Sequence, residues 1–334
     1  MTPPLPTLSV IIAARPDQAQ VLAADAARRL DYPPEQLQIL VARGRQPSVQ
    51  RNTAARQARG EWIYFLDDDS VAPPHNLQQF RSHASDPRVV VVGGPSLCPP
   101  DAPRLEHAFA AATANSLAFG PSTARYQAQG SVRDSNEKEL ILCNLFIRRD
   151  AFLAHGGFDE ALYPNEENAL MDALLKSGSR LVYDPDLWVL RRPRHSLRAF
   201  TKMVFTYGRG RAEQVRRHPS LGSLINLVPS LFCLYLVALP WLPRWSLLGL
   251  GAYAIAVLSS VLKSSSPPKS SPSSNVVAPR PTPPTPRAPW WSVAPLVVLT
   301  HLGYGLGFWR GLVTRLGPST YRLPIAVQIE ERQP

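Results

Sequence analysis

The sequence predicts an α/β fold, with a doubly wound and mostly parallel sheet followed by apolar helices toward the C-terminus. Short apolar runs at residues 8–14, 37–42 and 62–66 alternate with two stretches of helical spacing, which is the order of a parallel sheet. From about residue 221 the composition changes, and uncharged segments reach about the length that crosses a bilayer. We therefore expect a sheet domain joined to a membrane-associated region.

The elements around these three strands follow from the residues that start and stop them. Helical spacing over residues 18–30 stops at Pro33, and Ser48 is the expected N-cap of a helix that ends before Gly60. The paired glycines Gly93-Gly94 allow close backbone approach. The remaining predicted elements are a helix at 75–84, a strand at 89–94, a helix at 105–117, a loop at 120–135, a strand at 140–147, a short helix capped by Asp150, a helix from 165 to 176, and strands at 180–183 and 188–191.

Three consecutive carboxylates, Asp67-Asp68-Asp69, directly follow the third strand. In an open α/β sheet, ligands collect beyond the carboxyl ends of the strands. Adjacent carboxylates repel one another, and their hard oxygen atoms suit Mg2+ or Mn2+ bridged to phosphates. Taken alone, the triplet is equally compatible with a solvated acidic turn that caps the next helix.

Charge and cysteine content narrow the class of protein. The 334 residues carry a net charge of +11, enough chain for one large or two ordinary domains. Arginine is concentrated at residues 191–217 without a nucleic-acid motif, and apolar segments come next, so we expect anionic lipid or a phosphorylated substrate rather than nucleic acid. Three distant cysteines form no disulfide framework, and the N-terminus has no signal segment, which favours a cytoplasmic location for the first part.

The order and spacing of several motifs resemble glycosyltransferase family two, the inverting nucleotide-sugar transferases of the GT-A fold, over roughly residues 7–215. Each motif is weak alone, and together they are specific. They are Leu8-Ser9-Val10-Ile11-Ile12, Gln50-Arg51-Asn52, the acid triplet, Gly93-Gly94, Asn144 before Arg148-Arg149, Gly156-Gly157-Phe158-Asp159-Glu160, Asn165-Glu166-Glu167-Asn168, Pro185-Asp186 and His195.

The resemblance implies roles for the acids. A divalent metal, Mg2+ or Mn2+, would be held by Asp69 first and also by Asp67, with His195 completing the metal shell, and would neutralise the leaving diphosphate as a Lewis acid. Glu167, with Glu166 beside it, would be the base that takes the acceptor proton. On residue type alone, this pair also fits helix N-terminal carboxylates stabilised by the dipole, and His195 also fits a surface histidine.

The resemblance also implies donor and acceptor contacts. Asn144 is assigned to the acceptor side. Arg51 and Asn52 also fit residues that pack their helix, and Arg209 and Arg211 also fit a basic helix at a lipid surface. The nucleotide-sugar donor is expected to contact Ala13, Arg15, Arg43, Arg51, Asn52, Asp67, Asp68, Arg209 and Arg211.

Two departures from the family pattern refine this prediction. The second strand ends at Arg43-Gly44-Arg45 without the carboxylate that often holds the nucleotide base. The Gln-x-x-Arg-Trp motif of processive synthases is absent, which favours addition of single sugars. The function predicted is a metal-dependent inverting transferase that moves one sugar to a lipid-linked acceptor for cell-surface polysaccharide or lipopolysaccharide. The alternatives are a processive polysaccharide synthase and a non-catalytic membrane scaffold of the same fold.

The sequence also predicts a location in the cell and an organisation in five parts. The protein is expected in the inner (cytoplasmic) membrane as a multi-pass protein whose catalytic domain faces the cytoplasm and contacts membrane lipids; no protein partner is predicted. The third apolar segment, which contains Pro295 and several glycines, fits a spanning, re-entrant or interfacial segment. The parts are a GT-A domain at 1–220, a transmembrane hairpin at 221–262, a Pro/Ser-rich linker at 263–289, a third apolar segment at 290–312 and a tail at 313–334.

Overall fold

The chain folds into a mixed α/β sheet with helices on both faces and a layer of apolar helices beside it. The computed structural model describes residues 5–162, 164–217, 226–264, 288–314 and 326–334. The strands are β1 Leu8–Ala14, β2 Leu37–Arg43, β3 Trp62–Asp67, β4 Val89–Gly93, β5 Ser96–Leu97, β6 Arg133–Asp134, β7 Asn144–Arg148, β8 Arg180–Tyr183, β9 Val189–Leu190 and β10 Gln328–Arg332. The helices are α1 Leu22–Ala27, α2 Pro47–Gln57, α3 Asn76–Ala84, α4 Arg104–Thr113, α5 Ser116–Phe119, α6 Arg149–Ala154, α7 Glu166–Lys176, α8 Leu197–Arg217, α9 Val228–Ala238, α10 Leu247–Ser264 and α11 Trp290–Val313.

The main sheet has the strand order β10-β2-β1-β3-β7-β4-β8-β6. Strand β1 pairs in parallel with both β2 and β3, and β7 is inserted antiparallel between β3 and β4. Alternate residues of β1 enter the two hydrophobic cores: Val10 and Ile12 pack on one face and Ile11 on the other. The doubly wound sheet predicted from the sequence is therefore confirmed, as a mixed sheet in which five of the eight strands run in the same direction.

Strand register brings the predicted ligand residues to one edge of the sheet. Ala13 of β1 pairs with Ala42 of β2 on one side and with Asp67 of β3 on the other. All three strands run in the same direction, so their carboxyl ends open together onto one crevice. The acid triplet lies at this crevice, as the sequence predicts.

Two local elements differ from the sequence prediction. Helix α2 begins at Pro47, and its N-cap is Gln46, whose side chain accepts a hydrogen bond from Val49 N at 2.6 Å, so Ser48 is not the cap. Proline at the first helical position fits because its missing N–H has no partner there. The predicted loop at 120–135 contains a 3-10 helix, Gly120–Arg125, and strand β6 of the main sheet.

Strand β10 has no counterpart among the elements predicted from the sequence. It pairs antiparallel with β2 at the sheet edge, with Gln328 opposite Arg43 and Arg332 opposite Ile39. Glu330 accepts a hydrogen bond from Arg43, and Glu331 pairs with Arg59. The tail expected at 313–334 thus contains a strand of the main sheet, and the boundary expected at residue 220 does not separate the sheet from the C-terminal part of the chain.

Helices α8, α9, α10 and α11 form what we call the helical layer. Gly303, Gly307 and Gly311 recur every fourth residue along α11 and face α8. A Cβ atom at Gly307 would lie 2.0 Å from the carbonyl oxygen of Phe205 on α8. The glycines therefore bring two helix backbones into contact. Helix α11 continues through Pro295, so neither this proline nor the glycines interrupt it.

Two helices of the described chain are long and apolar enough to cross a membrane, Arg244–Lys263 and Trp290–Val313. The apolar helix Val228–Trp241, which includes α9, is shorter, so the described part of the first predicted span falls short of bilayer length. Most of the predicted linker, at 265–287, and residues 221–225 of the predicted hairpin lie outside the described residues.

Candidate active site

The carboxyl end of β3 carries side chains of alternating charge. Oδ1 of Asp67 accepts a hydrogen bond from Nη2 of Arg51 at 2.6 Å, and its Oδ2 lies 3.0 Å from Nη2 of Arg191. Nε of Arg191 donates to Oδ1 of Asp69 at 2.6 Å. Nη1 of Arg51 lies 3.5 Å from Oε1 of Glu166. These five residues, called here the strand-end network, join α7, α2, β3 and the segment after β9.

Charge compensation sets the protonation of the acids in this network. Burial acts to raise the pKa of Asp67, but Arg191 and Arg51 outweigh it, so the pKa lies below its ordinary value. The neighbouring Asp68 responds in the opposite direction. Burial raises its pKa, and the negative charges of Asp69 and Asp67 raise it further. Asp67 is therefore the acid that the arginines hold in its ionised form.

The two glutamates at the start of α7 lie in different environments. The side chain of Glu166 is 2% exposed beside Arg51, whereas that of Glu167 is 14% exposed with Nη1 of Arg125 at 4.0 Å. Burial, followed by repulsion from Glu167, raises the pKa of Glu166 to about 8. Glu166 is thus protonated near neutral pH, and Glu167 is the more accessible carboxylate of the pair.

The backbone before these glutamates is tightly constrained. Asn165, the N-cap of α7, has φ of 97°, in the left-handed region that asparagine tolerates better than most residues. A Cβ atom at Gly210 of α8 would lie 2.9 Å from the carbonyl oxygen of Pro164 and 2.8 Å from Nδ2 of Asn165. Helix α8 therefore packs directly on the segment that positions Glu166 and Glu167.

The predicted donor residues of the first two strands lie at the same crevice. Arg43 donates through Nη1 to the carbonyl oxygens of Gln18, at 2.8 Å, and Arg15, at 3.2 Å, and its Nε bonds to Glu330. The side chain of Arg43 thus crosses the ends of β1 and β2. Although β2 itself ends without an acid, β10 supplies a carboxylate at this position.

Two predicted ligand residues make hydrogen bonds within the fold. Asn144 is buried: its Oδ1 accepts from the hydroxyl of Tyr64 at 2.9 Å, and its Nδ2 donates to the carbonyl oxygen of Leu187 at 2.7 Å. The amide of Asn52 bonds to the backbone N–H and carbonyl of Phe158, each at 2.9 Å. Both amides are used within the fold, and the acceptor contact expected of Asn144 and the donor contact expected of Asn52 stay predictions.

Three other predicted residues make no hydrogen bond or ion pair with the strand-end network in the described residues. His195 is exposed in the segment after β9. Arg209 pairs with Glu213 at 3.5 Å, and Arg211 donates to Oε1 of Gln214 at 3.1 Å, both within α8. In the described residues, no three His, Cys, Asp or Glu side chains come together as a metal site. His195 therefore does not join Asp67 and Asp69 in this arrangement.

The strand end nevertheless has the donor chemistry that a divalent cation requires. Asp67 and Asp69 present carboxylate oxygens to a single cationic group, the guanidinium of Arg191. Burial acts to lower the pKa of Arg191, but Asp67 and Asp69 contribute to raising it well above its ordinary value, which marks this position as strongly favourable for positive charge. Hard carboxylate oxygens at such a position fit Mg2+ or Mn2+.

A cavity lies beside the network, between β5, α4 and α8. Arg191, which pairs with Asp67 and Asp69, is one of its lining residues. Its walls combine aromatic and apolar side chains with a basic rim. The lining residues nearest to the network and to α8 include Tyr126, Phe200, Met203, Tyr207, Arg191 and Arg194.

Comparison with known proteins agrees with this architecture. The fold is of the GT-A type: a mannosyltransferase from Pyrobaculum calidifontis, solved in complex with GDP-Man and Mn2+, superposes with a TM-score of 0.53 at 16% identity, over 76% of this chain and 81% of that one. Residues 16–155 match the family model described as Glycosyl transferase family 2. This match and the shared fold confirm the resemblance drawn from the motifs of the chain.

Two curated relatives support the same family. A pre-mycofactocin glycosyltransferase of Mycobacterium tuberculosis is 29% identical over 189 residues, 52% of this chain and 36% of the relative. The succinoglycan biosynthesis protein ExoA of Rhizobium meliloti is 28% identical over 172 residues, 50% of this chain and 46% of the relative. The chain therefore spans less than half the length of each of these relatives.

Three residues of the site carry no signal in the sequence. Arg191 is one member of a basic run, and nothing local marks it as the partner of Asp67 and Asp69. Arg125 comes from a segment that the sequence predicts as a loop. Glu330 lies 287 residues from its partner Arg43. None of these contacts leaves a local pattern, since each depends on distant chain segments that meet only in the folded sheet.

Proposed function

We propose that this chain is a glycosyltransferase that moves a single sugar from a nucleotide-sugar donor to a lipid-linked acceptor. The observation that carries the proposal is the strand-end network, which joins the acids after β3 to the carboxylates of α7 through Arg51. The family match, two relatives named for sugar transfer or polysaccharide synthesis, and a fold shared with a mannosyltransferase solved in complex with GDP-Man and Mn2+ support this class.

Metal use is part of the proposal. Asp69 and Asp67 would hold Mg2+ or Mn2+, and His195 remains the third candidate because it lies in the same basic segment as Arg191. When bound, such a cation neutralises the diphosphate that leaves with the nucleotide. Arg191 already provides positive charge at this position, so it would share that role by contacting the diphosphate.

The acceptor is activated by a carboxylate in our proposal. Glu167 takes the proton of the acceptor hydroxyl, because its side chain is the more exposed of the pair and begins α7 beside the crevice. Glu166 keeps its own proton near neutral pH and holds Arg51 toward Asp67. Attack on the face opposite the leaving nucleotide would invert the configuration at the anomeric carbon.

The cavity beside the network suits a phosphorylated lipid. Phe200, Met203 and Tyr207 offer it an apolar wall on α8, and Arg191 and Arg194 form its basic rim. Arginine binds phosphate oxygens through paired donors, while an apolar wall accommodates a hydrocarbon chain. A lipid-linked acceptor agrees with the apolar helices of the C-terminal part, and with a catalytic domain that faces the cytoplasm at the inner membrane.

One observation favours a second candidate, a non-catalytic membrane scaffold of the same fold. Arg191 pairs with both Asp67 and Asp69, so the acids are compensated without a metal ion. A protein that retained the fold but not turnover would show this pattern permanently. The two candidates differ in whether a metal ion and a nucleotide bind at the strand end.

The deciding experiment is donor hydrolysis by the full chain purified in detergent, with a panel of UDP-, GDP- and dTDP-sugars and with or without Mn2+. We expect Mn2+-dependent release of one nucleotide. Asp69→Asn should abolish release, and Glu167→Gln should reduce it about a hundredfold or more, since it removes the base. Asp172→Asn, on an exposed part of α7 where Asp172 pairs with Lys176, is the matched control and should retain activity.

Two results would count against this proposal or a part of it. Release that persists in Asp69→Asn would remove this carboxylate from the metal site. If no donor is hydrolysed, and if Mn2+ with nucleotide gives no shift in thermal unfolding, the transferase proposal fails and the scaffold replaces it.

A further inference from the structure

The main sheet contains strands that come before the helical layer in the sequence and one strand that comes after it. Helix α8 lies on the sheet domain, where Phe200 stacks on Phe109 with ring centroids 4.7 Å apart and Arg217 pairs with Asp159 at 3.8 Å. Strand β10, which comes after the layer in the chain, is hydrogen-bonded to β2 in the same sheet. The chain between α8 and β10 must therefore cross a membrane an even number of times or not at all.

Helix α11 is poorly placed to cross. Along Gly303, Gly307 and Gly311 its backbone contacts α8, and at its end Nη1 of Arg216 donates to the carbonyl oxygens of Gly311 and Thr314. His301 lies 2.9 Å from the carbonyl oxygen of Leu117 on α5. Half of the apolar window of α11 is buried, against 17% for the window that contains α10. Protein, not lipid, covers much of α11.

The partner of α11 in this contact is strongly charged. Helix α8 includes Lys202, Arg209 and Arg211, close to the residues that face the glycines of α11. A bilayer-spanning α11 would hold these cations at hydrocarbon depth, where Lys and Arg are costly unless they line a polar cavity. Helix α11 therefore does not cross. Because the chain between α8 and β10 must cross an even number of times or not at all, α10 cannot cross alone either.

The remaining way to cross would be a hairpin of α9 and α10. The apolar helix Val228–Trp241 has 14 residues, about 21 Å at 1.5 Å per residue, whereas a hydrocarbon core is about 30 Å thick. The described helix thus reaches beyond the middle of a bilayer but not across it. A hairpin of this length does not cross the core, and it stays within one leaflet when its helices lie tilted toward the membrane plane.

The outer face of the layer is apolar and exposed. Its side chains include two tryptophans at the turn between α9 and α10, and tryptophan favours the boundary between lipid and water. Six of these side chains are between 56% and 80% exposed: Leu231, Val237, Trp241, Trp245, Leu248 and Ile255. An apolar surface of this extent requires a partner.

Charge identifies that partner. Residues 214–329 contain no Asp or Glu and ten Lys or Arg, so the whole region is positive. A second copy of this chain would bring the same positive charge against it and would be repelled. Anionic lipid headgroups are attracted by such a region, while its exposed apolar side chains enter the acyl boundary.

We propose that the helical layer enters one leaflet of an anionic membrane without crossing it, so that residues 265–287 lie on the same side as the sheet. The α9–α10 turn then lies within the leaflet or on the sheet side. This attachment does not depend on glycosyl transfer, and its tests have no activity readout.

The first test is labelling of single added cysteines by a membrane-impermeant maleimide, in sealed membrane vesicles of both orientations. The native cysteines Cys98, Cys143 and Cys233 are buried, so the unmodified chain is the background. Ser273→Cys reports on the linker, Leu242→Cys on the α9–α10 turn, and Glu35→Cys on the sheet domain. We expect Ser273→Cys to label from the same side as Glu35→Cys, and Leu242→Cys never to label from the opposite side.

Labelling of either probe from the opposite side would overturn the proposal. If residue 273 labels there, α10 or α9 crosses on its way to the linker. If residue 242 alone labels there, the α9–α10 hairpin crosses. Because these substitutions are small and lie in the linker, the turn or an exposed position, they leave the packed faces of the helices unchanged.

The second test measures what the apolar face binds. The full chain is mixed with vesicles of phosphatidylethanolamine and phosphatidylglycerol, freed of detergent and floated. Leu248→Asp combined with Ile255→Asp should lower the floating fraction about tenfold or more, since two exposed apolar side chains leave the lipid. Leu153→Asp, a change of the same kind on exposed α6 of the sheet domain, is the matched control and should float like the unmodified chain.

Two outcomes would contradict the proposal here as well. Equal flotation of the double variant would show that the apolar face does not contact lipid. Failure of the unmodified chain to float, with a dimer that the double variant dissociates, would make a second copy the partner.

Discussion

The carboxyl ends of the strands and the helical layer are two regions of the same chain built on opposite principles. At the strand ends, five ionisable side chains lie close together, with Arg51 and Arg191 between the carboxyl groups of Asp67, Asp69 and Glu166. In the helical layer, the glycines of α11 leave no side chain between the backbones of α8 and α11, which therefore come into contact.

The two regions therefore differ in which substitutions they tolerate. The strand-end network depends on the charge and reach of side chains, so a substitution changes protonation and cation binding before it changes the fold. The contact between α8 and α11 depends on backbone shape, so any added atom separates the helices. Four substitutions test this contrast, in order of decreasing effect.

The largest effect is expected for Gly307→Ala in the helical layer. Its Cβ atom would lie 2.0 Å from the carbonyl oxygen of Phe205, and backbone must move to admit it. We expect the free energy of unfolding to fall by about 3 kcal/mol or more. Gly251→Ala on α10 is the control: its Cβ atom meets nothing within 4 Å, and alanine should stabilise the helix by up to about 1 kcal/mol. Unfolding in detergent, followed by circular dichroism, measures both, and equal stabilities would remove the shape argument.

The next effect is expected for Arg191→Met at the strand ends. Without the guanidinium, Asp69 loses its ion-pair partner and Asp67 keeps only Arg51, so the free energy of unfolding should fall by about 2–3 kcal/mol without metal. Added Mn2+ should restore part of it, with a larger shift than in the unmodified chain. Arg192→Met, which removes an exposed arginine paired with Asp101, should change stability by no more than about 0.5 kcal/mol. An Arg191→Met protein that ignores Mn2+ would contradict a metal site at these acids.

A pH-dependent loss of stability is expected for Glu166. Its pKa is raised from 4.5 to about 8 by burial, so the folded chain keeps a proton that the unfolded chain releases. Stability from this group is complete below about pH 4.5 and is lost as the pH rises toward 8. Glu166→Gln should flatten that decline, whereas Asp172→Asn on the same helix should keep it. Denaturation curves at several pH values decide; an unchanged slope in Glu166→Gln would contradict the buried, protonated state.

The smallest effect is expected at the edge of the sheet. Glu330 holds Arg43 across the ends of β1 and β2, where the resemblance places the donor nucleotide. Glu330→Gln should raise the KM for the donor about threefold with little change in stability, because the pair is partly exposed. Glu331→Gln, which removes the exposed pair with Arg59, is the neighbouring control and should leave KM unchanged. A rise in KM in both variants would indicate a general disturbance of β10.

The same contrast explains how far the sequence predicts the structure. The strands β1 and β3 and the acids after β3 follow from local pattern, because apolar runs and their punctuation act within a few residues. The amides of Asn52 and Asn144 are used within the fold, and in sequence an amide that fixes a turn or a strand is indistinguishable from one that binds a ligand. In the sequence, the glycines of α11 look like positions that interrupt a helix. Their structural role is the close contact with the backbone of Phe205 and Arg209 on α8, which the local sequence does not show. Arg191, Arg125 and Glu330 depend entirely on contacts between distant segments.

Strand β10 has a consequence for how the protein is made. Its partner β2 is synthesised roughly 280 residues earlier, so during translation the outer edge of β2 remains an open edge while the helices of the layer emerge. An unpaired strand edge can pair with another chain, and a contact of such sequence separation forms late because a long loop must close. Early insertion of the apolar helices into a membrane would hold α8 and α11 together before β10 is synthesised. The edge of β2 would then remain unpaired for a shorter time. Under the proposed membrane attachment, contact of the helical layer with lipid would come before completion of the sheet.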